Sequence, residues 1–387
     1  MKSSLTRLAS MSFVLILVFV VTNCTKKSSM TSGPTGDVIT IGEVGSMTGS
    51  EATFGISTHN GIELAVSEIN AAGGVKGKKI KMVSLDDQGK PEEAATAVTK
   101  LITQDNVTAI LGEVASSRSI AMAPIAQQHK VPMISPSSTN PKVTEIGDYI
   151  FRVCFIDPFQ GLVMSRFAIE TLKIKKAAIL RDVKNDYSVG LANVFTQAFT
   201  KAGGAIVDDK SYSAGDIDFK SQLTAIRSKN PEAIFVPGYY TEVGLIARQA
   251  RELGIKVPLM GGDGWDSPKL KEIGGDAING SYFSNHYSAE DKSPNVQKFI
   301  ADYKKAHNEV PDGLAAMGYD AAKVLADAMT RAPDLSSASI RKALAETKDY
   351  RGVTGMITID EKRNATKSAV VLNIDAGQFK YQTTIKP

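Results

Sequence analysis

Cysteine is scarce in this chain: two in 387 residues, Cys24 and Cys154. Stability therefore does not come from a framework of stapling disulfides. Histidine is almost as rare. His59, His129, His286 and His307 are scattered, with no two at metal-ligand spacing. There is no Cys-x-x-Cys, no His-Glu-x-x-His and no Gly-x-x-x-x-Gly-Lys-Ser/Thr loop. The common routes to structural zinc, metalloprotease chemistry and nucleotide-phosphate binding are missing with them. Gly45-Ser46-Met47-Thr48-Gly49 places its Ser out of register for a nucleophile elbow. Gly42-Glu43-Val44-Gly45, after the first strand-like run, lacks the spacing of a dinucleotide fingerprint. The formal net charge is only +4, too small for a nucleic-acid footprint. Neither metal, cofactor nor nucleic acid is expected.

What is present begins with location. Lys2 and Arg7 precede an unbroken apolar run over 13–21, followed at once by Cys24. A bilayer span needs about 20 apolar residues, so this run reads as the core of an export signal. Val21-Thr22-Asn23-Cys24 resembles a bacterial lipoprotein junction, with Cys24 as the lipidated first residue of the mature chain. Asn23 departs from the small residue usual there. The other reading is ordinary signal cleavage with Cys24 incidental. A lipidated Cys24 would leave Cys154 unpaired, a small buried hydrophobe rather than a nucleophile. Residues 25–36, rich in Ser, Thr, Lys and Gly, read as a flexible tether.

From residue 37 strands and helices alternate. Strand runs at 38–42, 80–85, 108–111 and 132–135 enclose helical patterns at 62–69, 92–104 and 116–128. A second set follows 151–153 and a helix over 158–172. It has strands at 177–180, 205–207, 233–236 and 258–260, and helices at 189–202, 219–228 and 242–253. The predicted fold class is α/β, with two doubly wound, Rossmann-like parallel-sheet units covered by helices on both faces. A long helix is predicted at 313–331, then mainly strands from 353 to the end.

Open α/β sheets bind ligands beyond the carboxyl ends of their strands, and four such loops are rich in hydroxyls, glycine or aromatics. Residues 112–118 open a helix at Ser116 and Ser117, whose free N–H groups and dipole suit a carboxylate. Plain N-capping by either Ser is the competing reading. Ser137, Ser138 and Thr139 lie in the hydroxyl-rich loop 135–141, which could also be a generic turn. Tyr239 ends a strand of the second unit. Asp263 sits among glycines at 261–265, able either to approach a bound cation or to satisfy its own backbone.

These residues carry a resemblance. From about Asp37 onward the chain resembles the periplasmic leucine/isoleucine/valine-binding proteins of ABC uptake systems. The matching features include Met47-Thr48-Gly49, Phe54-Gly55, the run 69–77, Asp86-Asp87, Ala115-Ser116-Ser117, Ser135-Pro136, Arg248-Gln249-Ala250 and the run 350–355. No single motif is specific; their order over most of the chain is. The resemblance implies a type I periplasmic-binding fold, two lobes joined by a three-strand hinge with the ligand between them. The expected division is a signal at 1–23, a tether at 24–36, a first lobe of 37–156 plus 287–358, and a second of 157–286 plus 359–387. It implies that Ser116 and Thr139, together with the backbone at Ser137, bind a ligand carboxylate, that Ser138 is a further ligand contact, and that Asp263 takes the ligand ammonium. Tyr187 and Tyr239 would close over the ligand, and Phe54 would line its side chain. Asp263 stands where the family usually has Glu. The family's first-lobe disulfide is absent, since neither 88–90 nor Ala115 offers a Cys. Arg118 replaces a small polar residue and is read as a solvated helix side chain, the alternative being a partner for an acidic ligand.

The expected function is thus binding without catalysis. An exported, lipid-anchored monomer captures a small amino acid and presents it to a membrane permease. A ligand-sensing module of the same fold, taking an amide, urea or aromatic acid, is the alternative. An exported α/β enzyme would need a nucleophile–base pair or a metal cluster, which the sequence does not display.

Overall fold

A computed structural model describes residues 36–387. The export signal, Cys24 and all but the last residue of the expected tether lie outside the described residues. Five strands build the first sheet: β1 (Val38–Gly45), β2 (Lys79–Asp86), β3 (Ile110–Leu111), β4 (Met133–Ser135) and β5 (Ile150–Arg152). Their order is β2-β1-β3-β4-β5, and every pairing is parallel. β1 is an interior strand and mostly buried, as a strand covered on both faces must be. Its Ile39 and Ile41 join a cluster with Ile62, Met317 and Leu325; Val44 joins another with Leu101 and Met122. The helices responsible are α1 (Ala52–Ala71), α2 (Pro91–Thr103) and α3 (Ser116–His129), followed by the short α4 (Lys142–Glu145).

The second lobe starts with α5 (Asp157–Arg166). It continues β6 (Lys176–Asp182), α6 (Asp186–Lys201), β7 (Ala205–Tyr212), α7 (Lys220–Ser228), β8 (Ala233–Phe235), α8 (Tyr240–Glu252), β9 (Leu259–Gly261), α9 (Pro268–Gly274) and β10 (Ser281–Asn285). The chain then returns to the first lobe for α10 (Pro294–His307), α11 (Gly313–Arg331), α12 (Ser337–Ala345) and a small antiparallel sheet. That sheet comprises β11 (Tyr350–Gly352), β12 (Gly355–Ile359) and β13 (Ala365–Thr366). β14 (Ala369–Asp375) and β15 (Gln378–Ile385) finally add antiparallel strands to the second sheet, in order β15-β14-β10-β9-β8-β6-β7.

The fold is therefore the predicted pair of α/β lobes, crossed three times by the chain: after β5, after β10 and after β13. Strand pairing puts the third crossing between Thr366 and Ala369, beyond the 358/359 boundary read from the sequence, because Ala365 and Thr366 still pair with β12. The periodicity reading assigned nothing between 266 and 312, where α9, β10 and α10 lie. β10 reads Ser-Tyr-Phe-Ser-Asn, too polar for a buried-strand signal, yet all but Tyr282 are buried. α11 lies tightly against α1. A Cβ on Gly61 would come 1.9 Å from the Ala315 carbonyl oxygen, and one on Gly318 would come 2.4 Å from that of Thr58. Only glycine allows that approach. The α11 N-terminus is thereby fixed at the mouth between the lobes.

Candidate functional site

Parallel strands in both lobes end toward the same crevice, so the loops leaving β3, β4, β8 and β9 face one another. On the first lobe, Ser116 opens α3 and is buried. Its Oγ accepts from the Asn140 N–H at 3.2 Å. Neither Ser116 nor Ser117 caps α3: Ala115 is the N-cap residue and no side chain closes it. The first-turn amides of α3 lack intrahelical acceptors, which leaves a positive helix end at the crevice. Ser117 instead accepts from the Asp186 N–H at 3.0 Å, reaching across to α6 of the other lobe.

On the second lobe, Gly261-Gly262-Asp263-Gly264-Trp265 turns sharply after β9. Its glycines are steric necessities. A Cβ on Gly262 would lie 2.4 Å from the Tyr187 hydroxyl, and one on Gly264 would lie 2.8 Å from the Tyr239 ring. The loop can therefore bring a carboxylate directly beneath two tyrosines. Tyr187 and Tyr239 stack at 5.4 Å, and Phe54 of the opposite lobe meets Tyr239 edge-on at 5.2 Å. The Tyr187 hydroxyl accepts from the Gly264 N–H at 3.2 Å. Burial raises both tyrosines well above the usual phenol range, so they remain neutral hydrogen-bonding walls.

Phe54, Val114, Ser116, Ser137, Tyr187, Tyr239, Asp263, Gly264 and Leu314 together line a narrow cavity of about 10 Å³ between the closed lobes. Six of the eight predicted binding residues are among them. Ser137 donates to Asp263 Oδ2 at 3.3 Å, directly joining the two lobes. Further contacts bridge them at the rim: Thr241 to the Ser50 carbonyl at 2.7 Å, and Thr53 to Ser267 at 2.9 Å. The lobes are closed upon each other.

Ser138 and Thr139 are buried but do not line the cavity. Ser138 Oγ donates to the Glu113 and Val114 carbonyls, each at 2.9 Å. Arg152 of β5 binds the Ser138 carbonyl and, at 2.9 Å, that of Asn140. These contacts shape the loop that presents Ser137. Thr139 accepts through its carbonyl from the Asp157 N–H at 3.0 Å. Burial pushes the Asp157 carboxyl up to about 8; the Thr139 hydroxyl and Arg152 oppose the shift and Asp263 adds to it.

Arg118 corrects the sequence reading most plainly. It is not solvated but buried, bonded to Glu51 at 2.6 Å, to Glu113 at 3.1 Å and to the Gly89 carbonyl at 3.2 Å. Asp87 lies 3.9 Å away. Burial pushes Asp87 up to about 7, helped by Glu113 and opposed by Arg118 and Ser46. The cluster ties the loop after β2 to α3, directly behind Ser116.

Two site residues escaped the sequence. Gln160 of α5 donates to Asp263 Oδ1 at 2.6 Å, and His286 Nε2 lies 3.0 Å from Asp263 Oδ2. Gln160 carries no sequence signal, and His286 stands in the sequence as an isolated histidine. Cys154 is buried, with its thiol pushed up to about 12 chiefly by burial, far from a reactive thiolate. Among the described residues no group of three His, Cys, Asp or Glu is placed to hold a metal ion, and no helix is long and apolar enough to cross a membrane.

Two α/β lobes joined by three crossings around a crevice are the architecture of type I periplasmic-binding folds. Residues 38–378 match the periplasmic binding protein family, and the chain belongs to it, among the branched-chain amino acid substrate-binding proteins of ABC transporters. A Leu/Ile/Val-binding protein homolog from Brucella melitensis is 32% identical over 84% of this chain and 87% of its own length. The substrate-binding protein LivJ of Streptococcus pneumoniae, solved in complex with isoleucine, is 37% identical. The alignment covers 90% of this chain and 100% of that one, with a TM-score of 0.86. A solute-binding protein of Rhodopseudomonas palustris in complex with 3,4-dihydroxybenzoic acid is 27% identical. It covers 91% of this chain and 98% of its own, with a TM-score of 0.82.

Proposed function

We propose that this protein is the exported, Cys24-lipidated binding component of an ABC uptake system, and that its lobes close around one small aliphatic α-amino acid. Ser116, Ser137 and the α3 N-terminus take the carboxylate. Asp263 takes the ammonium. Tyr187 and Tyr239 exclude water, and Phe54, Val114 and Leu314 receive the side chain. Ser138 and Thr139 support the loop instead of touching the ligand. The closed form is the one that docks on the permease, with the protein acting as a monomer.

The observation that carries this reading is the 3.3 Å approach of Ser137 to Asp263 inside a single cavity. An α-amino acid holds its two charges on one carbon, and two anchors this close match that spacing. An aromatic acid or an amide offers no cation to pair with Asp263, whose buried carboxylate would then keep only the hydrogen bonds from Gln160, Ser137 and His286.

A thermal-shift screen over the amino acids, small amides, urea and benzoates tests the proposal. A true ligand at a hundred times its dissociation constant adds about 2.7 kcal/mol of stability. Stabilisation by Leu, Ile or Val with none by benzoates supports the reading; the reverse pattern overturns it. Metabolic labelling with an alkyne fatty acid, compared with Cys24→Ala, tests the anchor.

A further inference from the structure

Three chain crossings join the lobes, and one of them reaches the site. His286 is the first residue after β10, on the second crossing, and it is almost wholly buried. Its ring stacks on Phe155 of the first crossing, with centroids 3.8 Å apart and planes 29° from parallel. Its Nε2 meets Asp263 Oδ2 at 3.0 Å. A carboxylate only accepts hydrogen bonds, so Nε2 carries the proton and donates. Nδ1 is buried without a partner and is the atom a second proton would occupy. With Gln160 on Oδ1 and Ser137 on Oδ2, His286 completes a three-point grip on the carboxylate. It is the only one of the three donors that lies on a crossing.

We propose that His286 is the positioning residue that fixes Asp263 from the hinge, and that protonating it at Nδ1 weakens capture of the ligand ammonium. The inference rests on the binding reading above. An imidazolium and an ammonium would compete for the same carboxylate, each repelling the other. Binding and protonation at Nδ1 are then mutually unfavourable, and linkage makes affinity fall as pH drops through the imidazole pKa of the free protein. The surroundings of His286 act on it in both directions, with a net lowering. Burial lowers its pKa from the ordinary value, Asp263 opposes that, and Lys367 on the third crossing lowers it further. Glu290, Asp291 and Lys292 share an outer cavity with it. Asp157, pushed up to about 8, and Asp266, pushed up to about 6, lie near Asp263 and also titrate. Because they are the same in any His286 variant, the difference between variant and parent isolates the imidazole.

The test is calorimetry with L-isoleucine from pH 7 to pH 4.5 on the parent, His286→Gln and His286→Ala. Below the imidazole pKa, one-proton linkage weakens parental binding by up to about tenfold per pH unit. His286→Gln keeps an N–H donor but cannot titrate. It should bind within about threefold of the parent at pH 7 and show a flatter profile in acid. His286→Ala should bind about tenfold more weakly at pH 7, the loss expected for one hydrogen bond to a charged group. Buffers of different ionisation enthalpy should show proton release on binding at pH 5 for the parent and less for His286→Gln. Superimposable parent and Gln profiles, or undiminished binding by His286→Ala, overturn the inference while leaving amino-acid binding intact. A folded parent that binds no amino acid at any pH removes the binding reading and the inference together.

Discussion

Replacing Asp263 by Asn removes one negative charge while keeping shape and volume. The structure shows where that loss is felt. Asp263 is 4% exposed, and its two oxygens accept from Gln160, His286 and Ser137. Asn keeps one acceptor, which Gln160 can hold at the Oδ1 position, and turns an NH2 toward the other two. His286 can shift its proton to Nδ1 and accept on Nε2, and the Ser137 hydroxyl can rotate to accept as well. The free protein thus has a compensated arrangement, and its unfolding free energy should change by no more than about 1 kcal/mol, one typical hydrogen bond. A bound ammonium has no such compensation. It would face an amide dipole where a carboxylate stood, in a crevice sealed by Phe54, Tyr187 and Tyr239. Truncating one partner of a buried charge pair costs about 2–5 kcal/mol, which at 1.4 kcal/mol per tenfold is a loss of about 30-fold or more in affinity. Calorimetry with L-isoleucine, beside urea unfolding of the same samples, separates the two effects. Binding within threefold of the parent by a stably folded Asp263→Asn would refute the assignment of Asp263 to the ammonium.

Three further outcomes follow from buried groups and close contacts. Arg118→Met strips the shared partner from Glu51, Asp87 and Glu113, and leaving buried charges unmatched should destabilise the protein by about 3–5 kcal/mol, read by urea unfolding. Gly264→Ala drives a Cβ to 2.8 Å from Tyr239 and 2.9 Å from the Gly238 carbonyl; overpacking of about 1–3 kcal/mol should appear as a lower melting temperature and weaker ligand binding. Asp157, raised to about 8 from an ordinary 3.8, holds a proton in the folded state that the unfolded chain releases. Its contribution is present at low pH and lost as pH rises from about 4 to 8. Asp157→Asn, which mimics the protonated form, should flatten that part of the stability–pH profile; an unchanged slope between pH 5 and 8 would show that Asp157 is not the group responsible.

The lobes were legible because each strand–helix unit writes its own period into the chain: β1 as an apolar run, α11 as a long amphipathic stretch, both found where expected. β10 and α10 were not, because burial there is imposed by neighbours. Ser281, Ser284 and Asn285 are buried through strand pairing, with no apolar signal of their own. The site divides the same way. Ser116, Ser137 and Asp263 stood out as polar residues in loops that close a strand, and Phe54, Tyr187 and Tyr239 through resemblance. Ser138 looked equivalent to Ser137, yet a one-residue step turns its hydroxyl into the loop's own backbone. Arg118 looked like a surface residue because its partners Glu51, Asp87 and Glu113 come from separate loops.

The sequence alone determined that this is a two-unit α/β protein with hydroxyl-rich and glycine-rich loops after its strands, since hydrophobic period and turn chemistry are local properties. Only the tertiary structure decided which of those loops meet, that Gln160 and His286 hold Asp263, and that three carboxylates share Arg118. Most of those contacts join residues from 23 to 126 positions apart, and their energies arise from burial, which no local pattern records.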